Sequence, residues 1–252
     1  MSTDIAWEEW GRSEPYFGVI TNPKFRRAGL TSEARNEFFE SGRVHVEYVF
    51  EMIRKYINPA FKPASVVDFG CGVGRILVHF SPTSERVVGL DVSPSMLEEA
   101  KRNCDKFGVG NVQLLLSDDQ LSALTGSYDL IHSFIVFQHI PPGRGREIFR
   151  QILPRISAGG VGALHFSYAK TCHAATHGVA PPAPPSVNRG VGASRAAGRT
   201  RKPGTDPEMQ MNPYHLNEIL FVLQSAGVRR FHVEFTDHGG ELGVFLFFQV
   251  SP

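Results

Sequence analysis

Val66-Val67-Asp68-Phe69-Gly70-Cys71-Gly72-Val73-Gly74-Arg75 joins a short apolar run to three glycines spaced two apart. An apolar run of this length, closed by glycines, reads as a buried strand that enters a tight turn and then a helix. Glycine lets the backbone turn sharply and approach a ligand closely. A helix start adds free N–H groups and a positive dipole end, which suit a carboxylate or a phosphate. The dinucleotide fingerprint Gly-x-Gly-x-x-Gly fails here, because its third glycine would fall on Arg75. Asp68, just ahead of the loop, either accepts a hydrogen bond from a ligand ammonium or fixes the loop backbone. A pyrophosphate would gain nothing from that negative charge.

Strands and helices alternate outward from this loop. Arg86 to Leu90 is an apolar run ending at Asp91, Asn111 to Leu116 ends at Ser117-Asp118-Asp119, and Tyr128 to Phe134 and Gly160 to Ser167 follow. Between them, Ser93-Pro94 starts a helix that Gly108 ends. Arg144 to Ser157 is a second helix, and Asn212-Pro213 starts a third that Gly227 ends. Val228 to Thr236 and Gly243 to Val250 read as the last two strands. Such alternation with continuous apolar strands predicts a mostly parallel sheet covered on both faces. A carboxylate at Asp91 suits two ribose hydroxyls, the alternative being a simple cap on the next helix. Asp118 or Asp119 suits the amine of an adenine, the alternative being a solvated acidic turn.

Two regions flank this core. Residues 1–60 read as an N-terminal cap ending in a helix, with Val46, Val49, Phe50, Ile53 and Ile57 at helical spacing. Residues 61–252 form the main domain, and it carries an insertion at 171–210 rich in Pro, Gly, Ala and basic residues. That insertion is either a lid or a plain insertion.

Composition narrows the classes. Hydrophobic residues at 42% and charged residues at 20% allow one packed α/β domain. A net charge of +1 gives no reason to expect a nucleic-acid partner. There is no apolar run long enough for a membrane span, and the acidic, aromatic start lacks signal-peptide character, so no membrane partner is expected. Three scattered cysteines, Cys71, Cys104 and Cys172, suggest a reducing, cytoplasmic setting rather than a disulfide framework. Cys172, His173 and His177 lack a fourth ligand, so no metal is expected. The oligomeric state is not set by any of these features.

VVDFGCGVGR, the acid in VVGLDVSPSML, the SDD turn, YDLIHSFIVFQHIP and ISAGGVGALHF together resemble the class I S-adenosylmethionine-dependent methyltransferases. The resemblance is close from about Ala64 to Ser167. It implies a Rossmann-like seven-stranded sheet in order 3-2-1-4-5-7-6 with strand seven antiparallel, and S-adenosyl-L-methionine as cofactor. By that resemblance Asp68, Gly70, Cys71, Gly72 and Gly74 surround the methionine part. Asp91 takes the ribose, Met96 packs on adenine, and Asp118 and Asp119 hold the adenine edge. Ser133 and Phe134 lie near the sulfonium. The flanking segments resemble the caps of bacterial small-molecule methyltransferases, with Tyr16 and Phe17 closing over the cofactor and Tyr214 facing the substrate.

The expected activity is therefore O- or N-methylation of a small molecule. The motif of amine methylation on nucleic-acid bases is replaced by His132-Ser133-Phe134-Ile135, and a cytosine-type nucleophilic Cys is missing there. His139, just past the fourth strand, is the first candidate base. Its alternative role is to hold the loop. Tyr214, His165 and His238 come after it. The cluster Trp7, Trp10, Tyr16 and Phe17 is either cap packing or a cation–π wall for the sulfonium. A non-catalytic S-adenosylmethionine-binding scaffold or sensor is the alternative function, and a dehydrogenase is disfavoured by Arg75.

Overall fold

The computed structural model describes residues 3–171 and 206–251. Most of the 171–210 insertion, with Cys172, His173 and His177, lies outside the described residues. The strands are β1 (Ser65–Phe69), β2 (Arg86–Asp91), β3 (Val112–Leu116), β4 (Tyr128–Ser133), β5 (Ile156–Lys170), β6 (Arg230–Asp237) and β7 (Glu241–Gln249). They form one seven-stranded sheet in the order β3-β2-β1-β4-β5-β7-β6. β1 to β5 pair in parallel, while β7 runs antiparallel to both β5 and β6. The expected fold is therefore the observed one.

The helices are α1 (Thr3–Ser13), α2 (Pro15–Val19), α3 (Ser32–Met52), α4 (Leu77–Phe80), α5 (Pro94–Phe107), α6 (Pro142–Ile152) and α7 (Leu216–Ser225). They cover both faces, so each strand needs apolar side chains on both sides. Val66 and Val67, adjacent in β1, enter two different cores. One core holds α3 and the N-terminal cap through residues such as Phe38 and Phe50; the other holds α6 and α7 through Phe149 and Ile219. Among the described residues no helix is long and apolar enough to cross a membrane.

Three boundaries differ from the sequence reading, each for a local reason. α6 stops at Ile152 and a short 3-10 turn carries Pro154, which has no N–H to continue the helix. α7 begins at Leu216 rather than at Asn212. The Asn212 and Tyr214 N–H groups are already bonded to Gln138 O and Ser167 O, so that stretch is extended chain. The helix after the glycines is only the four residues of α4. A helix so short contributes little dipole.

α3 rests directly on that loop. A Cβ at Gly42 would lie 2.1 Å from the Arg75 carbonyl oxygen. Gly42→Ala should therefore lift α3 from the loop, costing about 1–3 kcal/mol of stability and weakening ligand binding as well. Thermal denaturation and ligand titration of the variant test both.

Candidate active site

β1 delivers Asp68 and Phe69 to the carboxyl end of the sheet, and the chain then turns through Gly70 and Gly72 at φ 75° and 53°. The Gly70 and Cys71 N–H groups both donate to Leu90 O, at 2.8 and 2.9 Å, which lashes the turn to β2. The Gly72 N–H donates to Asp91 Oδ2 at 2.8 Å, and the Ser93 N–H to Asp91 Oδ1 at 2.9 Å. The second reading of Asp91, as a local anchor, is thus part of its role. Each carboxylate oxygen still keeps lone pairs for a ligand. Burial raises the Asp91 pKa to about 6 against the lowering effect of the backbone N–H groups.

A cavity of ≈ 510 Å³ opens beside this loop, a size suited to a nucleoside-bearing ligand. Asp68, Gly70, Cys71, Gly72, Asp91, Met96, Asp118, Asp119, Phe134 and His139 all line it. Ten of the expected site residues are thereby brought to one chamber. Burial raises the Cys71 thiol pKa well above its ordinary value, so this Cys is a neutral wall.

Four expected residues are not in the lining, and their contacts say why. Gly74 packs near Ala100 of α5. Ser133 is fully buried and donates to Phe69 O at 3.0 Å, tying β4 to β1. Tyr16 lies within hydrogen-bond distance of Glu99 Oε1 (2.6 Å) and Asn103 Oδ1 (3.0 Å), and Arg35 donates to its oxygen. It braces the cap on α5 instead of closing over a ligand. Tyr214 is buried, with its hydroxyl 2.9 Å from Phe137 O and 2.8 Å from Ile140 O. Its only proton is committed there, and burial raises the phenol pKa, so Tyr214 positions the loop after β4 and does not face the cavity.

His139 does face it. Gln210 O can only accept, so the 2.7 Å contact fixes the proton on His139 Nδ1 and leaves Nε2 an unprotonated acceptor, with the Gln138 amide Nε2 at 3.5 Å. Burial lowers its pKa to about 4, so the ring is neutral at physiological pH. Trp7 of α1 stands edge-on at 4.9 Å. The loop-holding and basic readings of His139 therefore coexist on its two nitrogens.

The acidic turn after β3 is also committed. Asp118 Oδ1 accepts the Gln120 and Ser122 N–H groups at 3.0 and 2.9 Å. Asp119 shares Arg144 with Asp4, the guanidinium meeting Asp119 Oδ1 at 2.6 Å and Asp4 Oδ1 at 2.7 Å. Those two pairs pin α1 across the mouth of the cavity.

Several lining residues escaped the sequence reading. Thr3, Asp4, Thr21, Met209 and Met211 come from outside the strand–helix core, where periodicity carries no signal. Ile135, a β-branched residue at φ 58°, makes the strained turn after β4. Asp68 Oδ1 accepts from His132 Nδ1 at 2.8 Å, and His132 Nε2 meets His45 Nε2 at 2.9 Å. Arg75, noted only as a mismatch, lines the cavity with its Nε buried and unpartnered, and one Nη donates to Ser41 Oγ at 3.2 Å. Burial lowers its pKa to about 10. Among the described residues no group of three or more His, Cys, Asp or Glu is placed to hold a metal.

A ligand with vicinal hydroxyls would donate to Asp91 and favour its ionised form. Such binding pulls the Asp91 pKa below its free value of about 6, so affinity rises with pH through that value and levels off above it. The unliganded fold has the opposite sign. Its raised carboxylate pKa means stability falls as pH climbs from the ordinary value of 3.8 through about 6. Calorimetric titration with S-adenosylhomocysteine from about pH 5 to 7.5 should show the affinity slope, and Asp91→Asn should flatten it. A flat profile in the parent chain would remove Asp91 from the ribose site.

Residues 66–160 match the family model described as a methyltransferase domain. An uncharacterised methyltransferase of Synechocystis is 32% identical over 108 residues, which cover 42% of this chain and 49% of that protein. A 23S rRNA (uracil(747)-C(5))-methyltransferase of Vibrio vulnificus is 27% identical over 96 residues, covering 37% and 25%. The chain thus spans about half the length or less of these curated relatives. The crystal structure of magnesium protoporphyrin IX methyltransferase from Synechocystis with bound S-adenosylhomocysteine superposes with a TM-score of 0.64 at 16% identity, over 99% of this chain and 100% of that one. The domain match and the strand order thus give a methyltransferase domain at residues 66–160, on a sheet that shares its fold with that structure.

Proposed function

We propose that this protein transfers a methyl group from S-adenosylmethionine to a small-molecule oxygen or nitrogen. The observation that carries this reading is the two-ended cavity. One end holds a buried carboxylate beside the glycine turn and an underpartnered guanidinium; the other holds the unprotonated Nε2 of a neutral histidine.

Bound there, S-adenosylmethionine supplies an electrophilic methyl on a sulfonium. Asp91 accepts from the ribose hydroxyls. Arg75 meets the α-carboxylate, which gives its unpartnered Nε an anion, and Asp68 faces the ammonium with His132 behind it. Met96 packs on the adenine, and Asp118 lies at its edge. Position supplies much of the rate in a displacement with so good a leaving group. His139 Nε2 accepts a hydrogen bond from the acceptor's O–H or N–H and takes the proton as the new bond makes that proton acidic. With a pKa of about 4, the ring is already unprotonated at neutral pH and suits an acceptor that arrives uncharged.

The acceptor end is apolar and roofed by α1. Trp7, Met209, Met211 and Ile140 line it, with Thr21 and Gln138 as polar points. A chamber of this kind, on a chain of net charge +1, favours a small molecule over a polynucleotide. S-adenosylhomocysteine release across a panel of phenols, carboxylic acids, amines and RNA separates these acceptors. Release with no acceptor, alongside tight cofactor binding, would favour a scaffold or sensor.

Arg75→Met should weaken S-adenosylmethionine binding by about tenfold or more, the loss of a charge-assisted hydrogen bond of about 1.5–3 kcal/mol. His139→Ala should leave that affinity intact and lower kcat by about a hundredfold. Unchanged turnover in His139→Ala would leave that ring only its structural bond to Gln210.

A further inference from the structure

β6 is the outer strand of the sheet, paired with β7 on one side only. The His238 N–H donates to Glu241 O at the hairpin end. Hydrogen-bonding direction alternates along an antiparallel ladder. The even-numbered residues of β6 therefore bond to β7, and Phe231, Val233, Phe235 and Asp237 turn their N–H and C=O groups outward. The far end of β7 agrees, since Val250 exchanges its bonds with Gly159 and Gly160 of β5. Among the described residues no backbone group is bonded to that outer edge.

Edge strands of soluble proteins are usually shortened, kinked or charged along their length. This one runs eight residues and carries Phe231 at 51% and Phe235 at 78% exposure on one face. Val233 lies between them on that face, packed on the core that holds α7. The opposite face carries His232 and Glu234, which bond to each other, with Tyr56 stacked on His232 at 3.7 Å.

The order of these residues is self-complementary. A two-fold axis through Val233, perpendicular to the sheet, pairs the strand antiparallel with its own copy. In that register Phe231 faces Phe235 of the second copy, His232 faces Glu234, and Arg229 faces Asp237. The aromatic pairs match in polarity, the His–Glu pairs join hydrogen-bonding partners and Arg229 meets an opposite charge, while Arg230 faces Thr236. Each face of the sheet also stays on its own side, because the paired positions share parity. The outward-turned groups of Val233, Phe231 and Phe235 then meet as hydrogen-bonded pairs. A shift of one residue would set aromatic side chains on the charged face.

From this we propose that β6 is a homodimer interface, with two sheets joined edge to edge into one of fourteen strands about Val233. Aromatic pairs on one side and two His–Glu pairs on the other fix the register, each worth about 0.2–1 kcal/mol. The occupant is a second copy because the strand's charges and rings complement their own reverse order. The cavity lies mainly at the carboxyl ends of β1, β2 and β4, and His238, one residue past β6, is the part of its lining next to the interface.

Sedimentation equilibrium of the full chain should give a dimer whose population falls on dilution. Phe235→Lys, at an exposed position, should raise the dissociation constant by about tenfold or more while leaving thermal stability and cofactor affinity unchanged. Register is read by cross-linking in a Cys172→Ser background. Paired Cα atoms lie about 5.5 Å apart, within disulfide reach. A mixture of Phe231→Cys and Phe235→Cys chains should form a mixed disulfide dimer on mild oxidation, and neither chain alone should do so. A monomer at all concentrations, a dimer insensitive to Phe235→Lys, or cross-linking that does not need both variants would overturn the proposal. A monomer that instead retains some other protein on this edge counts against it equally.

Discussion

A single buried carboxylate organises the glycine-turn end of the cavity in this protein. Asp91 ends β2 and holds Gly72 with one oxygen and Ser93 with the other. A carboxylate taken out of water is costly unless it is hydrogen-bonded, and the two backbone N–H groups offset that cost only partly, since its pKa still stands near 6. The remaining deficit is met only by further donors. The same residue that closes the glycine turn in the free chain therefore has a reason to take hydroxyl groups from a ligand. Arg75 repeats the logic with opposite sign, as a cation whose buried Nε has no hydrogen-bond partner among the described residues.

The N-terminal cap is fastened to the same elements. Glu8 of α1 accepts from Ser93 Oγ (2.7 Å), Ser95 N (3.1 Å) and Ser95 Oγ (2.8 Å) at the start of α5. Burial raises the Glu8 pKa, but the hydrogen bonds from Ser93, Ser95 and Arg12 outweigh it and the net shift is downward. That carboxylate also faces the positive end of α5. Tyr16 reaches Asn103, whose amide donates to Val73 O at 2.9 Å inside the glycine turn. Arg144 adds the third tie, through Asp4 and Asp119. Cap, α5 and loop thus share one network of hydrogen bonds, and α1 cannot leave the cavity without breaking bonds that also set the cradle.

The sheet and the cradle could be read from the chain because both rest on local pattern. Apolar runs closed by glycine or aspartate mark β1, β2 and β3, and each puts its last polar residue at the carboxyl edge. Ser93-Pro94 and Gly108 bound α5 as expected, with Ser93 Oγ accepting the Met96 N–H at 3.1 Å and Gly108 at φ 66°. What failed was the sense of distance. Tyr16 and Tyr214 carry the chemistry a site would use, yet each spends its hydroxyl on a partner 83 or 74 residues away. Arg75 was visible only as a broken motif. Its value appears once α3 packs at Gly42 and excludes water from one side of the guanidinium.

The same distinction separates cofactor from acceptor. The matched domain, residues 66–160, contains Asp68, the glycines, Asp91, Met96 and the acidic turn. Trp7, Thr21, Met209, Met211 and His238, which form much of the rest of the chamber, fall outside it. A cradle for one fixed ligand can be written in a continuous stretch, because its parts sit on successive strand ends. An acceptor wall is assembled from the two flanks of the chain, joined only by contacts such as Gln210 O with His139. The family match, confined to residues 66–160, covers the strand ends and leaves both flanks outside it. On the proposed function, the side chains brought in by α1 and by residues 209–211 select what receives the methyl group.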